Sequence, residues 1–319
     1  MAHFAVTGAA GFIGSHLVDA LLAQGHSVRG LDDLSTGREE NVDRRCQLIV
    51  GDVTDPEAVR EAMRDADCCF HLAAIASVVK TNEEWVATHR VNLTGTVTVL
   101  DAAREFGRIP VVFASSAAVY GDVGTGKANE DLLPAPLTAY GADKLGSEFH
   151  ARVAFMVHRV PTCGLRFFNV YGPRQDPVSP YSGVISIFAR RVSRRRPVSV
   201  YGSGEQVRDF VYVGDVVAHL IAAMRRLREF PEAGVLNVCT GEGTSVLALA
   251  HILGDLQRKR LEIVHHDPRP GDIGVSIGDP SLAMSVLGVS ARVPLRDGLR
   301  ALLAHMAQDR RATIEEIGD

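Results

Sequence analysis

The chain opens with the stretch His3-Phe4-Ala5-Val6-Thr7-Gly8-Ala9-Ala10-Gly11-Phe12-Ile13-Gly14, which decides its fold. A short apolar run enters a glycine-rich turn, and the amphipathic segment 15–22 follows it. This order of strand, turn and helix is the context that a dinucleotide phosphate loop requires, whereas the alternative is a plain structural turn. Gly8 permits a sharp turn, Gly11 lets backbone N–H groups approach a pyrophosphate, and Gly14 lets the helix pack against the strand. The helix N-terminus then faces the phosphates with its partial positive charge.

The composition is that of an ordinary globular protein. The 319 residues are 46% apolar and 23% charged, with a net charge of −4, so no nucleic-acid partner is expected. The five cysteines are odd in number and none forms a C-x-x-C pair, which argues against zinc or a disulfide framework and favours a cytoplasmic location. No signal peptide and no apolar run long enough to span a bilayer is visible, so no membrane partner is expected.

Strand-like and helix-like segments alternate through the first half of the chain. We predict strands at 3–6, 27–31, 46–50, 68–72, 110–114 and 162–167, and helices at 15–22, 56–64, 92–106 and 140–158. This alternation predicts an α/β, Rossmann-like, doubly wound parallel sheet with helices on both faces. Ligands bind such sheets at the carboxyl ends of the strands, where the polar and glycine-rich clusters of this chain lie.

The pattern loosens after residue 169. Residues 173–183 are rich in proline, serine and glycine, whereas 236–238 reads as a strand that returns to the main sheet. We therefore divide the chain into a dinucleotide-binding domain, residues 1–170 with about 210–240 returning to it, and a smaller, discontinuous α/β substrate lobe, residues 171–209 and 241–319.

Asp32 is the candidate for recognising the adenosine ribose. It lies 18 residues after Gly14 at the end of the second predicted strand. A carboxylate at that position accepts hydrogen bonds from the ribose hydroxyls and repels a 2′-phosphate, which favours NAD over NADP. The alternative is a turn aspartate at a strand end. Arg38 lies close to Asp32 in sequence, so NADP stays open as an alternative cofactor.

Tyr140 and Lys144 are the candidate catalytic pair. Their spacing of four at the start of a predicted helix places them on one face. An ammonium beside a phenol lowers the phenol's pKa, which suits the tyrosine to general-base work. A Tyr-x-x-x-Lys pattern alone is more often structural, but Ser115 and Ser116 end the preceding strand, and a serine hydroxyl there can relay a proton.

Taken together, the motifs resemble those of the extended short-chain dehydrogenase/reductase superfamily. Within it the chain is most similar to the NAD-dependent epimerase/dehydratase family and its nucleotide-sugar 4-epimerases of the UDP-glucose 4-epimerase type. The motifs that carry the resemblance are TGAAGFIG at 7–14, DDLSTG at 32–37, GDV at 51–53, HLAA at 71–74, Asn92, SSAAVYG at 115–121, YGADK at 140–144, RFFNVYGP at 166–173, GEQVRDF at 204–210 and RPGD at 269–272.

The resemblance implies an isomerase with tightly bound NAD as its catalytic cofactor. Tyr140, helped by Ser116, takes the proton of the sugar 4-hydroxyl while the C4 hydride passes to the cofactor. The 4-ketosugar then presents its other face, and hydride and proton return with C4 inverted. Lys144 also holds the nicotinamide ribose. The family commonly forms homodimers through the helices predicted at 92–106 and 140–158.

The resemblance also implies two sets of binding residues. The cofactor set is Gly8, Gly11, Phe12, Ile13, Gly14, Asp32, Asp33, Leu34, Ser35, Thr36, Gly37, Asp52, Val53, Leu72, Ala73, Ala74, Ala76, Asn92, Ala114, Ser115, Tyr140, Lys144, Phe167 and Phe168. The substrate set is Ser116, Asn169, Gly183, Val184, Ser199, Val200, Tyr201, Arg208, Arg269, Asp272 and Ser276. In the substrate set, Arg208 and Arg269 match positions that grip the diphosphate, a role that suits the planar guanidinium.

Two features narrow the reaction and the substrate. Dehydratases of the superfamily carry Asp-Glu after the active-site Thr, and decarboxylating relatives carry a nearby glutamate. Here Ala117 and Ala118 follow Ser116, so re-reduction of the 4-ketosugar is expected. Ser276 falls where the family places a gatekeeper beside the sugar, and a small residue leaves room for a 2-acetamido group. We therefore expect UDP-glucose and UDP-galactose, together with UDP-GlcNAc and UDP-GalNAc, as substrates.

Three alternatives stay open at this point: a nucleotide-sugar dehydratase, a net reductase of the same fold, and a non-catalytic NAD-binding regulator. One residue departs from the family pattern, since Asp143 stands where a serine usually precedes the active-site lysine. Its carboxylate either faces Tyr140 and raises the tyrosine pKa, or points to solvent in the first helical turn. We expect the second arrangement.

Overall fold

The computed structural model describes residues 1–176, 183–268 and 273–317. The strands are β1 (His3–Thr7), β2 (Ser27–Asp32), β3 (Gln47–Val50), β4 (Cys68–His71), β5 (Val111–Ser116), β6 (Thr162–Phe167), β7 (Asn169–Tyr171), β8 (Val198–Tyr201), β9 (Val207–Arg208), β10 (Phe210–Tyr212), β11 (Ala233–Val238), β12 (Thr244–Ser245), β13 (Ile263–His266) and β14 (Val275–Ser276). The α-helices are α1 (Phe12–Ala23), α2 (Pro56–Met63), α3 (Val78–Glu83), α4 (Trp85–His89), α5 (Gly95–Glu105), α6 (Ala139–His158), α7 (Val184–Ser193), α8 (Val213–Glu229), α9 (Val246–Gln257), α10 (Ser281–Leu287) and α11 (Leu295–Ile317).

Seven strands form one parallel sheet in the order β3-β2-β1-β4-β5-β6-β11. β1 pairs with β2 on one side and with β4 on the other, so Thr7 lies opposite both Leu31 and His71. The strand order reverses at β1, which creates the crevice where open α/β sheets bind ligands. The predicted doubly wound sheet is therefore confirmed, and the strand predicted at 236–238 is the end of β11, which pairs with β6.

Helices cover both faces of this sheet because successive side chains of a parallel strand point to opposite sides. On β1, Phe4 and Val6 join the core formed with α1 and α8, whereas Ala5 joins the core formed with α2, α5 and α6. The two cores hold the strand ends rigidly, so the loops that leave those ends keep fixed positions.

A third core lies in the smaller lobe. It joins α7, α9 and α11 through Phe188, Leu249 and Leu299, and it covers the pair β8 and β13. The short strands pair as β10 with β7 and as β12-β9-β14. Because β7 follows β6 after one residue, these small sheets begin at the carboxyl edge of the main sheet.

Several predicted bounds differ from the structure. The helix predicted at 92–106 is a π-helical turn, Arg90–Thr94, followed by α5, and α3 and α4 precede it without having been predicted. Among the described residues no helix has both the length and the apolar character to cross a membrane. All five cysteines are buried free thiols, as the lack of pairing patterns predicted.

Candidate active site

The glycine-rich turn after β1 forms a backbone cradle. Gly8 has a φ of +71°, and a Cβ atom there would lie 2.8 Å from the backbone nitrogen of Ala73. A Cβ atom at Gly14 would lie 1.9 Å from the carbonyl oxygen of Gly8. Gly11 precedes α1 and supplies no side-chain cap, so the helix N-terminus stays open toward a ligand. Glycine at these positions lets the turn, α1 and the loop after β4 approach one another this closely, as a pyrophosphate cradle requires.

Asp32 ends β2 beside this cradle and is 7% exposed. Its Oδ2 accepts a hydrogen bond from the Ala10 N–H at 2.9 Å, and its Oδ1 accepts one from the Leu34 N–H at 2.9 Å. Burial raises the pKa of the Asp32 carboxyl, and these hydrogen bonds lower it. Arg38 is directed to the Glu40 carboxylate at 3.4 Å. A fixed acceptor therefore stands at the strand end, while the nearby guanidinium pairs with an acid.

Asn92 fixes the loop that follows β4. Its side chain is fully buried, Oδ1 accepts from the Ile75 N–H at 2.8 Å, and Nδ2 donates to the Ile75 carbonyl at 3.2 Å. The π-helical turn around Asn92 carries this amide. The loop it holds contains four residues of the predicted cofactor set, Leu72, Ala73, Ala74 and Ala76.

The start of α6 brings three predicted catalytic residues together. Thr138 caps this helix by accepting from the Gly141 N–H at 3.0 Å. A Cβ atom at Gly141 would lie 2.6 Å from the Ala118 carbonyl oxygen, so only glycine lets α6 approach the turn after β5 this closely. The approach sets the half-buried Tyr140 beside Ser116. Burial of the phenol raises the pKa of Tyr140 to about 12, and its interaction with Ser116 acts against that rise.

Lys144 completes this group one helical turn later. Its side chain is 2% exposed, and Nζ donates to the Ala114 carbonyl at 2.9 Å. Nζ lies 5.7 Å from the centre of the Tyr140 ring. Burial lowers the pKa of Lys144 to about 8, and the neighbouring Asp143 raises it. The lysine is thus placed to favour the phenolate form of the tyrosine.

Ser115 lies beside Ser116, but its hydroxyl contacts a buried carboxylate and is not directed to the active site. It donates to Glu148 Oε1 at 2.5 Å, and both carboxylate oxygens of Glu148 accept from Arg166, at 2.8 and 2.7 Å. Arg166 Nη1 also donates to the Tyr120 hydroxyl at 2.9 Å. Glu148, Arg166 and Tyr120 were not predicted as functional residues, although the last two lie inside motifs of the resemblance.

His71, at the end of β4, lies between two threonine hydroxyls. Thr7 Oγ1 accepts from the Leu72 N–H at 3.2 Å and lies 2.8 Å from His71 Nδ1. Thr96 Oγ1 donates to the Asn92 carbonyl at 2.7 Å and lies 3.0 Å from His71 Nε2. The hydroxyl of Thr96 is therefore free only to accept, so Nε2 carries the proton and Nδ1 accepts from Thr7. Complete burial lowers the pKa of His71 to about 3.

Three predicted substrate residues meet where the small sheets join. The Asn169 N–H donates to the Asp209 carbonyl at 2.9 Å, and Arg208 lies opposite Ser276 in the pairing of β9 and β14. The fully buried Asp209 carboxylate accepts from the Thr240 hydroxyl at 2.6 Å, which holds this junction in place. The strand pairing thus sets an arginine and a small serine side by side.

The remaining substrate residues divide by location. Tyr201 ends β8, and its ring centre lies 5.3 Å from that of His266. Val200 is fully buried in the core of the smaller lobe, so its side chain is turned away from a ligand, and Gly183 and Val184 begin α7. Phe167 and Phe168 are buried at the end of β6, while Ser199 is half-buried. Arg269 and Asp272 lie outside the described residues.

Asp143 is arranged differently from either alternative weighed on the sequence. The expectation that it points to solvent was wrong, because the residue is only 4% exposed. Its Oδ1 lies 2.7 Å from His89 Nδ1, since α4 packs alongside α6. The carboxylate therefore faces a histidine of the neighbouring helix.

Comparisons with known proteins agree with this geometry. The sequence profile of the NAD dependent epimerase/dehydratase family matches residues 4–239. The structure of UDP-glucose 4-epimerase from Thermotoga maritima with UDP-glucose has a TM-score of 0.92 and 34% identity, covering 96% of this chain and 99% of that chain. That of UDP-glucose 4-epimerase from Thermus thermophilus in complex with NAD has a TM-score of 0.87 and 38% identity, covering 96% and 99%. UDP-N-acetylglucosamine 4-epimerase from Methanobrevibacter ruminantium, in complex with UDP-N-acetylmuramic acid, has a TM-score of 0.91 and 31% identity, covering 97% and 99%.

Proposed function

The chain belongs to the NAD dependent epimerase/dehydratase family, and on that premise we propose that it is a 4-epimerase of UDP-linked hexoses. The observation that carries the proposal is the placement of the Tyr140 phenol beside Ser116 and the Lys144 ammonium, whose Nζ lies 5.7 Å from the centre of the Tyr140 ring. This group supplies the proton transfers that are required when the 4-ketone forms and when it is reduced again. It lies at the end of β5, at the same edge of the sheet as the glycine cradle.

The residues of the chain handle the proton and orient the sugar. Tyr140, as a phenolate, takes the proton of the 4-hydroxyl, and it returns the proton to the same oxygen after the ketosugar has presented its other face. Ser116 holds the same oxygen and keeps it in line with the phenol, while Lys144 stabilises the phenolate. When bound, NAD⁺ accepts the C4 hydride and adds a positive charge that favours the phenolate. The cradle of Gly8, the Asp32 carboxylate and the Lys144 ammonium hold this cofactor.

The residues beside Ser116 favour re-reduction of the 4-ketosugar over dehydration or decarboxylation. The next two residues are alanines, and the turn they form has no acidic side chain. The buried Glu148 is occupied by Arg166 through both of its oxygens. A leaving hydroxyl therefore meets no carboxylic acid in the turn after Ser116, and the 4-ketosugar is reduced again.

The smaller lobe binds the nucleotide and the sugar in this proposal. Arg208, together with Arg269 from outside the described residues, grips the diphosphate, and Asn169 borders it. Tyr201 lies against the nucleoside, together with Val184 and Asp272. Ser276 lies opposite Arg208 and leaves space at the sugar, so the proposed substrates include UDP-GlcNAc and UDP-GalNAc beside UDP-glucose and UDP-galactose.

The proposal extends to assembly and location. We assign the dinucleotide domain to residues 1–170 with about 210–240, and the substrate lobe to the remainder. A homodimer through α5 and α6 is supported by a set of exposed apolar side chains on one stretch of α6, Phe149, Val153, Met156 and Val157. Five free thiols are consistent with the cytoplasm as the site of action.

Product analysis tests this function. The purified protein is incubated without added cofactor, separately with UDP-glucose and UDP-GlcNAc, and the products are separated by chromatography with mass detection. Epimerisation gives a new peak of unchanged mass. A product lighter by one water would identify a dehydratase, and a ketone product lighter by two hydrogens, formed after addition of NAD⁺, would identify a net oxidoreductase working in the oxidative direction. No product from either sugar would favour the non-catalytic alternative.

A further inference from the structure

The buried Asp143 pairs with the half-exposed His89, and the active-site lysine is the next residue of α6. The Asp143 side chain is 6% exposed, and its Oδ1 accepts from His89 Nδ1 at 2.7 Å. Its Oδ2 is buried and has no hydrogen-bond partner within residues 1–176, 183–268 and 273–317. The pairing crosses from α6 to α4 and joins residues 54 positions apart.

A half-satisfied carboxylate is costly in the interior unless a positive charge offsets it. Lys144, the next residue of α6, carries the buried amine that meets this requirement. The benefit is mutual, because burial lowers the pKa of Lys144 to about 8 and the Asp143 carboxylate raises it. Burial raises the pKa of the Tyr140 phenol, and Ser116 lowers it.

We propose that Asp143 is a positioning residue whose carboxylate, held in place by His89, keeps the Lys144 amine charged beside Tyr140. The proposal rests on the 4-epimerase function, in which that charge stabilises the phenolate. It assigns a role to the one residue of the Tyr140–Lys144 segment that departs from the family pattern.

Several other ionisable groups near α6 are paired or neutral. On α3, Lys80 pairs with Glu84 at 3.7 Å. On β6, Arg166 is held by Glu148, which lies on α6 itself. His71 on β4 faces Lys144 and stays neutral, because burial lowers its pKa to about 3 and the lysine lowers it further. The Asp143 carboxylate is thus the charged group that favours the protonated lysine.

Direct titration of the lysine tests the proposal independently of activity. The chain has four lysines, Lys80, Lys127, Lys144 and Lys259, so ¹³Cε-lysine labelling gives few NMR signals, and Lys144→Met identifies the relevant one. In Asp143→Asn, measured on the protein as purified, we expect the Lys144 midpoint to fall by about one pH unit. Asp101→Asn removes an exposed carboxylate from α5 and is the matched control, with no shift expected. An unchanged Lys144 midpoint in Asp143→Asn would overturn the proposal.

The pH dependence of kcat gives the second measurement. We expect the alkaline limb of the kcat–pH profile to move down by about one pH unit in Asp143→Asn. The kcat of the variant then equals that of the wild type near pH 6 and is about eightfold lower near pH 8.5. A uniform loss of kcat at every pH would indicate a purely structural role and overturn the proposal. Asp143→Ser, which carries the usual family residue, is expected to show the same shift and replaces Asp143→Asn if that variant does not fold. A wild type without epimerase activity would refute the proposed function, whereas the NMR titration would still decide the role of Asp143.

Discussion

Arg166 on β6 and Glu148 on α6 form a two-pronged ion pair beneath the active-site strand end. The nitrogen–oxygen distances are 2.8 and 2.7 Å, and both side chains are almost fully buried. Ser115 donates to the same carboxylate, and the Arg166 guanidinium lies 4.7 Å from the centre of the Tyr120 ring. The pair therefore ties α6, which carries Tyr140, to β6, and the Ser115 hydrogen bond ties the same helix to β5, which carries Ser116.

Removing one partner leaves the other charge buried and unpaired. For Arg166→Met we expect the free energy of unfolding to fall by about 3–5 kcal/mol. The double variant Arg166→Met with Glu148→Met should recover part of this loss, because no charge then remains buried. Urea unfolding of each variant measures the effect. Arg60→Met, which breaks the exposed pair with Glu105, is the control and should change little. A double variant less stable than Arg166→Met would contradict this explanation.

His71 predicts how stability depends on pH. Burial lowers its folded-state pKa to about 3, whereas the exposed imidazole of the unfolded chain titrates near its ordinary pKa of 6.5. Between these values the unfolded state binds the extra proton, so stability falls as the pH falls, by about 1.4 kcal/mol per pH unit. His71→Gln should flatten the slope between pH 6 and pH 4 by this amount. Denaturant unfolding at several pH values checks it, and an identical slope in both proteins would contradict it.

Tyr140 predicts the size of the catalytic loss. Tyr140→Phe removes the group that exchanges the proton with the sugar 4-hydroxyl, and we expect kcat to fall by about 10²–10⁴-fold. The content of co-purified NAD and the thermal unfolding temperature should stay at wild-type values, because the ring is retained. Retention of more than a tenth of the wild-type kcat would remove Tyr140 from its proposed role.

Ser276 predicts the choice of sugar. Ser276→Tyr places a bulky ring opposite Arg208, and we expect turnover of UDP-GlcNAc to be lost while turnover of UDP-glucose persists. Ser285→Tyr, at an exposed serine of α10, is the matched control and should leave both rates unchanged. The ratio of kcat/KM for the two sugars is the measurement. Equal losses for both sugars in Ser276→Tyr would contradict the gatekeeper role.

Local patterns in the sequence predicted the parts of the fold that depend on neighbouring residues. The glycines of the first turn and the alternation of strands and helices predicted the sheet, because turn chemistry and periodicity are local properties. The spacing of Tyr140 and Lys144 likewise placed both side chains on one face of α6.

Contacts between distant segments could not be predicted in this way. The pair of Asp143 and His89 depends on the path of α4, and that helix carries no strong periodic signal of its own. The hydroxyl of Ser115 faces Glu148 because of the alternation along β5, which a motif match to the neighbouring Ser116 does not reveal. The burial of Val200 follows from the packing of α7 and α9 over β8.

The most direct test of the central claim follows the hydrogen at C4 of the sugar. UDP-glucose deuterated at C4 is incubated with the purified protein in ordinary water without added cofactor. The products are then separated, and their masses are measured by mass spectrometry. Inversion through a ketone with return of the same hydride predicts UDP-galactose that retains the deuterium. A UDP-galactose product that has lost its deuterium to water, or the absence of UDP-galactose while the deuterated substrate is consumed, would contradict the account.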